Sequence, residues 1–136
     1  MKIEVKKLNA LKKYTGDFEV DYQPPEDICL VPLCKIDGSV KVKGSYEIYK
    51  DDSVGVNFTV KYGIKGQCSY CLKDAEREVE EAFDILFVTE DDPDNYRYDG
   101  VNIDLEPAIN DAILFSQPNV LLCSEDCTGI DINNNN

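Results

Sequence analysis

The sequence predicts an α+β protein: a twisted antiparallel sheet or partial β-barrel with one main helix packed on it. Three observations carry this. Val54, Val56, Phe58, Val60, Tyr62 and Ile64 alternate with polar or small residues at a period of two, as in a strand with one buried face. Leu105, Ala108, Ile109, Ala112 and Ile113 recur at the three-and-four spacing of one helical face. Around them lie short apolar runs punctuated by Gly, Pro, Asn and Asp, with no internal repeat.

Taken in order, Ile3, Val5 and Leu8 carry a strand-like alternation, and Thr15-Gly16-Asp17 is a turn signal. Phe18, Val20 and Tyr22 alternate with acids as a half-exposed strand, which Pro24-Pro25 ends. Ile28 to Leu33 contains Pro32, which lacks an N–H, so this piece belongs at a sheet edge or in a loop. Asp37-Gly38-Ser39 reads as a tight turn. Val40, Val42, Tyr46 and Ile48 then mark a strand, interrupted at Gly44-Ser45 by a candidate bulge. Lys50 to Ser53 is a hairpin loop leading into the Val54–Ile64 strand.

Asp74 to Val88 is the ambiguous stretch. Its Glu and Ala content favours helix, whereas Val79, Phe83, Ile85 and Phe87 share one parity. A strand is the favoured reading, paired back on Val54–Ile64 through a Cys68–Asp74 hairpin. Glu90 to Gly100 is an acidic loop. Asp104 suits an N-cap, Pro107 is tolerated in a first helical turn, and Ser116-Gln117-Pro118 stops the helix. Residues 1–130 are expected to form a single domain, followed by a disordered Asn-rich tail over 131–136.

Charge narrows the function. The net charge is −13, and residues 76–111 hold 13 acids against two arginines. Residues 1–16 are the exception, with five lysines and one acid. So acidic a body disfavours extensive contact with RNA and suits a partner rich in Lys and Arg. The plainer reading, that the charge keeps the chain soluble, stands beside it. There is no 18-residue apolar run and no apolar signal region, so the expectation is a cytoplasmic protein with no membrane span. No histidine and no Gly-rich phosphate loop are present, and no residue set suggests an enzyme. The tyrosines at 46, 49, 62, 70, 96 and 98 lack a basic groove around them, which favours core and rim aromatics over base-stacking platforms.

Cysteine spacing is the most distinctive feature. Cys68 and Cys71 form a C-x2-C pair, and Cys123 and Cys127 form a C-x3-C pair, with 51 residues between the two pairs. Four thiolates brought together suit tetrahedral Zn²⁺, with Zn–S distances of about 2.3 Å. Metal-free thiols and redox-active or disulfide forms are the alternatives, and zinc is favoured over both. Glu125 and Asp126 beside Cys127 oppose a reactive thiolate, and a C-x2-C pair that follows a strand is unlike a thioredoxin motif. Cys29 and Cys34 read as ordinary buried apolar residues.

At these cysteines the chain resembles a known family. Gly66-Gln67-Cys68-Ser69-Tyr70-Cys71-Leu72 is similar to the G-x-C-x-R-C-L signature of the bacterial YceD proteins, also called the DUF177 family. Asp104-Leu105-Glu106, the helix, Pro118, Cys123 and Cys127-Thr128-Gly129-Ile130 are similar to that family's second half, and the resemblance covers roughly residues 36–130. Tyr70 stands where the family usually has arginine, and a later cysteine pair common in the family is absent, which leaves Cys68, Cys71, Cys123 and Cys127 as the natural ligand set. The resemblance implies a ribosome-biogenesis factor supporting accumulation of 23S rRNA. Genes of that family often lie beside that of a small, basic zinc-ribbon protein of the large subunit.

Together these readings give the expectations to be tested: a non-enzymatic factor, with Zn²⁺ held by Cys68, Cys71, Cys123 and Cys127. Its partner is expected to be a basic large-subunit ribosomal protein or a pre-ribosomal particle. The partner surface is expected at Glu76, Glu78, Glu80, Glu81, Asp84, Glu90, Asp91 and Asp92. The alternative is direct binding of ribosomal RNA through the basic arm from Lys2 to Lys13.

Overall fold

The structure is a computed structural model that describes residues 1–124 and Cys127. The expected Asn-rich tail and the Thr128-Gly129-Ile130 motif lie outside the described residues, as do Glu125 and Asp126. The element order is β1 (Lys2–Ile3), α1 (Val5–Ala10), β2 (Thr15–Tyr22), β3 (Cys34–Ile48), β4 (Val54–Gln67), β5 (Asp74–Val88), β6 (Tyr96–Arg97), β7 (Ile103–Asp104) and α2 (Glu106–Ser116).

Five strands form one sheet in the order β2-β3-β4-β5-β6, and β1 pairs with β7 in a separate two-stranded ladder. Among the described residues the architecture is α+β, with two helices and an open sheet. The ambiguous stretch Asp74–Val88 is a strand, antiparallel to β4 along its whole length from Val54↔Phe87 to Gln67↔Asp74. The sheet is not wholly antiparallel, because β6 runs parallel to β5 at Phe87↔Tyr96 and Val88↔Arg97. Ile28 to Leu33 is a loop, as Pro32 requires.

Alternation sorts the side chains. Val54, Val56, Phe58, Val60, Tyr62 and Ile64 of β4 are all buried, and register aligns them with Val42 and Ile48 of β3 and with Val79 and Phe87 of β5. Ala108, Ile109, Ala112 and Ile113 of α2 belong to the same core cluster. Three tyrosines from three strands reach the helix. Tyr22 of β2 donates to Asn110 Oδ1 at 2.6 Å, Tyr62 of β4 to the Ile113 carbonyl at 3.2 Å, and Tyr96 of β6 to Asp111 Oδ2 at 2.6 Å.

Burial, first, raises the pKa of each of these phenols. Glu106 adds to the shift at Tyr22, a hydrogen bond with Ser116 offsets it at Tyr62, and Asp111 carries Tyr96 up to about 12. The folded state therefore favours the neutral phenol over the anion. This contribution to stability is complete below the unfolded phenol's pKa and fades as pH rises from there through the folded value. A thermal melting series from pH 9 to pH 12 should show a falling midpoint. Tyr96→Phe should flatten that alkaline slope, and an unchanged slope would remove Tyr96 as its source.

Four local expectations are corrected. The segment around Ile3, Val5 and Leu8 is not an extended strand: two residues pair with β7 and the chain then turns into α1. Asp37-Gly38-Ser39 is not a tight turn between strands but a break within β3, where the pairing with β4 shifts register between Asp37 and Lys41 and Gly38 adopts φ +76°. Gly44 marks no bulge, because the ladder is regular on both sides, at Phe18↔Gly44 and Gly44↔Phe58. A Cβ there would meet the Asn57 carbonyl and lie 2.7 Å from Phe58 Cβ, so the glycine serves close strand approach. Asp104 lies one residue before the N-cap position, Leu105, and its Oδ1 accepts from Glu106 N–H at 3.0 Å.

Candidate metal centre

The two cysteine pairs meet at one end of the sheet. β4 runs into Cys68, whose N–H donates to the Lys73 carbonyl at 2.7 Å, and Leu72 N–H closes the knuckle on the Cys68 carbonyl at 3.0 Å. Leu72 takes a left-handed conformation, φ +65°, that lets the chain reverse into β5.

The second pair arrives by a different route. After α2 the chain passes through Leu121, which is fully buried. Ser69 of the knuckle donates its N–H to the Leu121 carbonyl at 2.6 Å, and Leu121 N–H donates back to Ser69 Oγ at 3.0 Å. This reciprocal pair fixes the post-helix segment against the knuckle two residues before Cys123.

The result is a compact cluster of sulfurs. Cys71 Sγ lies 3.4 Å from Cys123 Sγ, Cys68 Sγ lies 3.5 Å from Cys127 Sγ, and all four lie within 4.8 Å of one another. A tetrahedron with metal–sulfur bonds of about 2.3 Å has sulfurs about 3.8 Å apart, so the cluster has the dimensions of a four-thiolate site. None of the four is in a disulfide. Together they can hold a single metal ion.

The electrostatics agree with the geometry. Burial opposes ionisation of Cys68, but the backbone N–H groups of Cys71, Tyr70 and Cys123 and the Cys127 thiol outweigh it and hold the pKa at about 6. At Cys123 the hydrogen bond with the Cys71 thiol, then burial, raise it. One thiolate forms readily at Cys68, and its charge opposes a second at Cys123 until a cation balances them. Cys29 and Cys34 lie apart from the cluster, partly buried against the core, and Cys34 Sγ approaches the Pro32 carbonyl at 3.2 Å.

The structure splits the expected acidic surface in three. Register places Glu76, Glu78, Glu80 and Asp84 on one face of β5, opposite Lys65, Gly63, Lys61 and Asn57 of β4. Glu81 points to the other face, with Val79 and Phe83. Asp91 pairs with Arg97 at 2.8 Å, and Asp92 accepts from Asp94 N–H and Asn95 Nδ2, so these acids organise their own loop.

What sequence reasoning missed is the lysines: Lys61 Nζ lies 3.5 Å from Glu78 Oε1, and its signal was the Lys61/Lys65 spacing on the neighbouring strand. The basic arm is also not a free tail. Ile3 and Val5 are buried, and Leu105 N–H donates to the Met1 carbonyl.

No helix among the described residues is long and apolar enough to cross a membrane. A family model described as "Large ribosomal RNA subunit accumulation protein YceD" matches residues 56–135, a span that includes both cysteine pairs, β5 and α2. Comparison with curated proteins and with solved structures finds no match.

Proposed function

The chain belongs to the YceD family, whose description implies a role in accumulation of the large ribosomal RNA, and on that premise we propose how it fills that role. It acts without catalysis in the cytoplasm. It binds a basic protein of the large ribosomal subunit through the acidic face of β5, while Zn²⁺ held by Cys68, Cys71, Cys123 and Cys127 fixes the end of the β4–β5 hairpin to the segment after α2.

The observation that carries the reading is that Glu76, Glu78, Glu80 and Asp84 share one exposed strand face. Two of them stand opposite lysines of the same chain, and such exposed pairs are weak, so an incoming cation competes with them at little cost.

The test is a tagged pull-down from bacterial lysate, with and without RNase, followed by titration of the protein retained. A basic large-subunit protein should remain bound after RNase. Its affinity should fall by about tenfold or more between 50 and 500 mM salt, because exposed charges are screened at such ionic strength. The triple variant Glu76→Gln, Glu78→Gln, Glu80→Gln should weaken it by about tenfold. Salt-insensitive binding would count against a charged contact.

One observation favours a second reading, direct contact with ribosomal RNA. Lys2, Lys6, Lys12 and Lys13 form no ion pair among the described residues, whereas Lys7 pairs with Glu4. Truncation would strip Ile3 and Val5 from the core, so charge reversal at Lys6, Lys12 and Lys13 is the sounder probe. Loss of ribosomal proteins on RNase treatment, together with loss of RNA in that variant, would put the arm first.

A further inference from the structure

The outer edge of β5 is open. β6 pairs only with Phe87 and Val88, and among the described residues no other strand borders β5 on that side. The direction of the peptide groups follows from the ladder. Cys68 N–H donates to the Lys73 carbonyl, so these two are a hydrogen-bonded pair, and antiparallel alternation carries that state to Ile64:Arg77, Tyr62:Val79 and Val60:Glu81. The intervening residues Glu76, Glu78, Glu80 and Ala82 therefore turn their N–H and C=O groups away from β4. None of these groups has a hydrogen-bond partner among the described residues.

We propose that this edge, from Glu76 to Ala82, takes an added strand from the partner: an extended segment in which lysine or arginine alternates with apolar residues. The inference rests on the acidic-face reading above and adds a mode of binding and a partner sequence pattern to it. Exposed peptide groups on an edge supply affinity for an extended chain, and the side chains on its two faces supply specificity.

The pattern is read from the neighbour that β5 already has. On the inner side, Val60-Lys61-Tyr62-Gly63-Ile64-Lys65 places Lys61 opposite Glu80 and Lys65 opposite Glu76, with Val60, Tyr62 and Ile64 on the apolar face. A strand of the same alternation on the outer side would flank the glutamates with cations again and lay its apolar residues beside Val79 and Phe83. Directly opposed residues on paired strands lie about 5 Å apart, close enough for such charge pairs to count. The edge of β2 is also acidic, at Asp17, Glu19 and Asp21, but its last residue, Tyr22, is tied to α2.

The test separates edge pairing from charge. Two capped seven-residue peptides of four lysines and three valines are titrated into the full-length protein, one alternating and one with its lysines in a block. The alternating peptide should bind about tenfold tighter. Methylating its backbone nitrogens on the side that faces β5 should weaken it by about tenfold or more. Ala82→Pro removes an outward N–H while leaving the β4 ladder and every acid in place, and should do the same. The N-methyl peptide against the unaltered protein decides the matter should that variant fail to fold.

Equal, salt-sensitive binding of both peptides, unmoved by methylation, would overturn edge pairing and leave the acidic-face reading standing. Failure of both peptides and of the basic ribosomal protein to bind would overturn both. Competition by RNA alone would overturn a protein occupant.

Discussion

Cys71→Ser is expected to abolish stoichiometric metal binding. Purified under reducing conditions, the unaltered protein should carry close to one zinc per chain, measured by elemental analysis, and the variant far less. The serine oxygen is a poor zinc ligand at neutral pH, and it leaves the Cys123 sulfur, 3.4 Å away, without its neighbour. Metal bound only by the folded chain is folding free energy, so the variant should also lose several kcal/mol of stability, a large share of a domain's total of about 5–15 kcal/mol. The melting midpoint should drop by about 10–20 °C, and a chelator should lower the unaltered protein towards the same value. Substoichiometric metal in well-folded protein, unchanged by the substitution, would remove the zinc centre.

Gly44→Ala should be strongly destabilising, costing about 3 kcal/mol in urea unfolding. Its new methyl group would meet the Asn57 carbonyl and lie 2.8 Å from Phe58 Cα. These are backbone atoms of the central strand, so relief requires β3 and β4 to separate where both are locked by neighbours on their other sides. A loss under about 1 kcal/mol would show that the strands part locally. Gly38→Ala, at a position with nothing within 4 Å, should suffer only from its left-handed backbone.

The two glycines also show where sequence reading stops. Both interrupt apolar alternation, and in a linear pattern both look like turn or bulge signals. Gly38 does sit at an irregularity, whereas Gly44 is dictated by the proximity of β4, which is a property of the assembled sheet. β4 was legible because one face of it is buried, and burial imposes a period of two that survives in the residues, whereas β5 was ambiguous because its inner face is buried only at Ala75, Val79 and Phe87. α2 was legible because its buried side recurs at three and four.

α1 was not legible. It is six residues long and buries only Val5, too little to impress a period on the chain. The parallel pairing of β6 depends on the path of the acidic loop, and no local residue choice encodes it. At the candidate metal centre the two cysteine pairs stood out by their spacing, and the family resemblance joined them into one set. The Ser69–Leu121 hydrogen bonds that bring the two halves together were not legible, because one joins backbone groups that every residue carries and the other needs only a hydroxyl of a kind common in loops. The acidic face looked continuous in sequence because register with Lys61 and Lys65 exists only after β4 and β5 pair.

The meeting of Cys71 with Cys123 across 52 positions sets an order of events during synthesis. At about 5–20 residues per second, the knuckle leaves the ribosome some 3–10 s before its partners exist. For that interval the nascent chain displays two thiols of a four-thiol site, able to grip a cation weakly or to be oxidised. Metal that needs all four can enter only once the helix and the segment behind it have emerged. An ion held by all four sulfurs would therefore mark a chain translated past Cys127, and a shorter copy would not hold it as tightly.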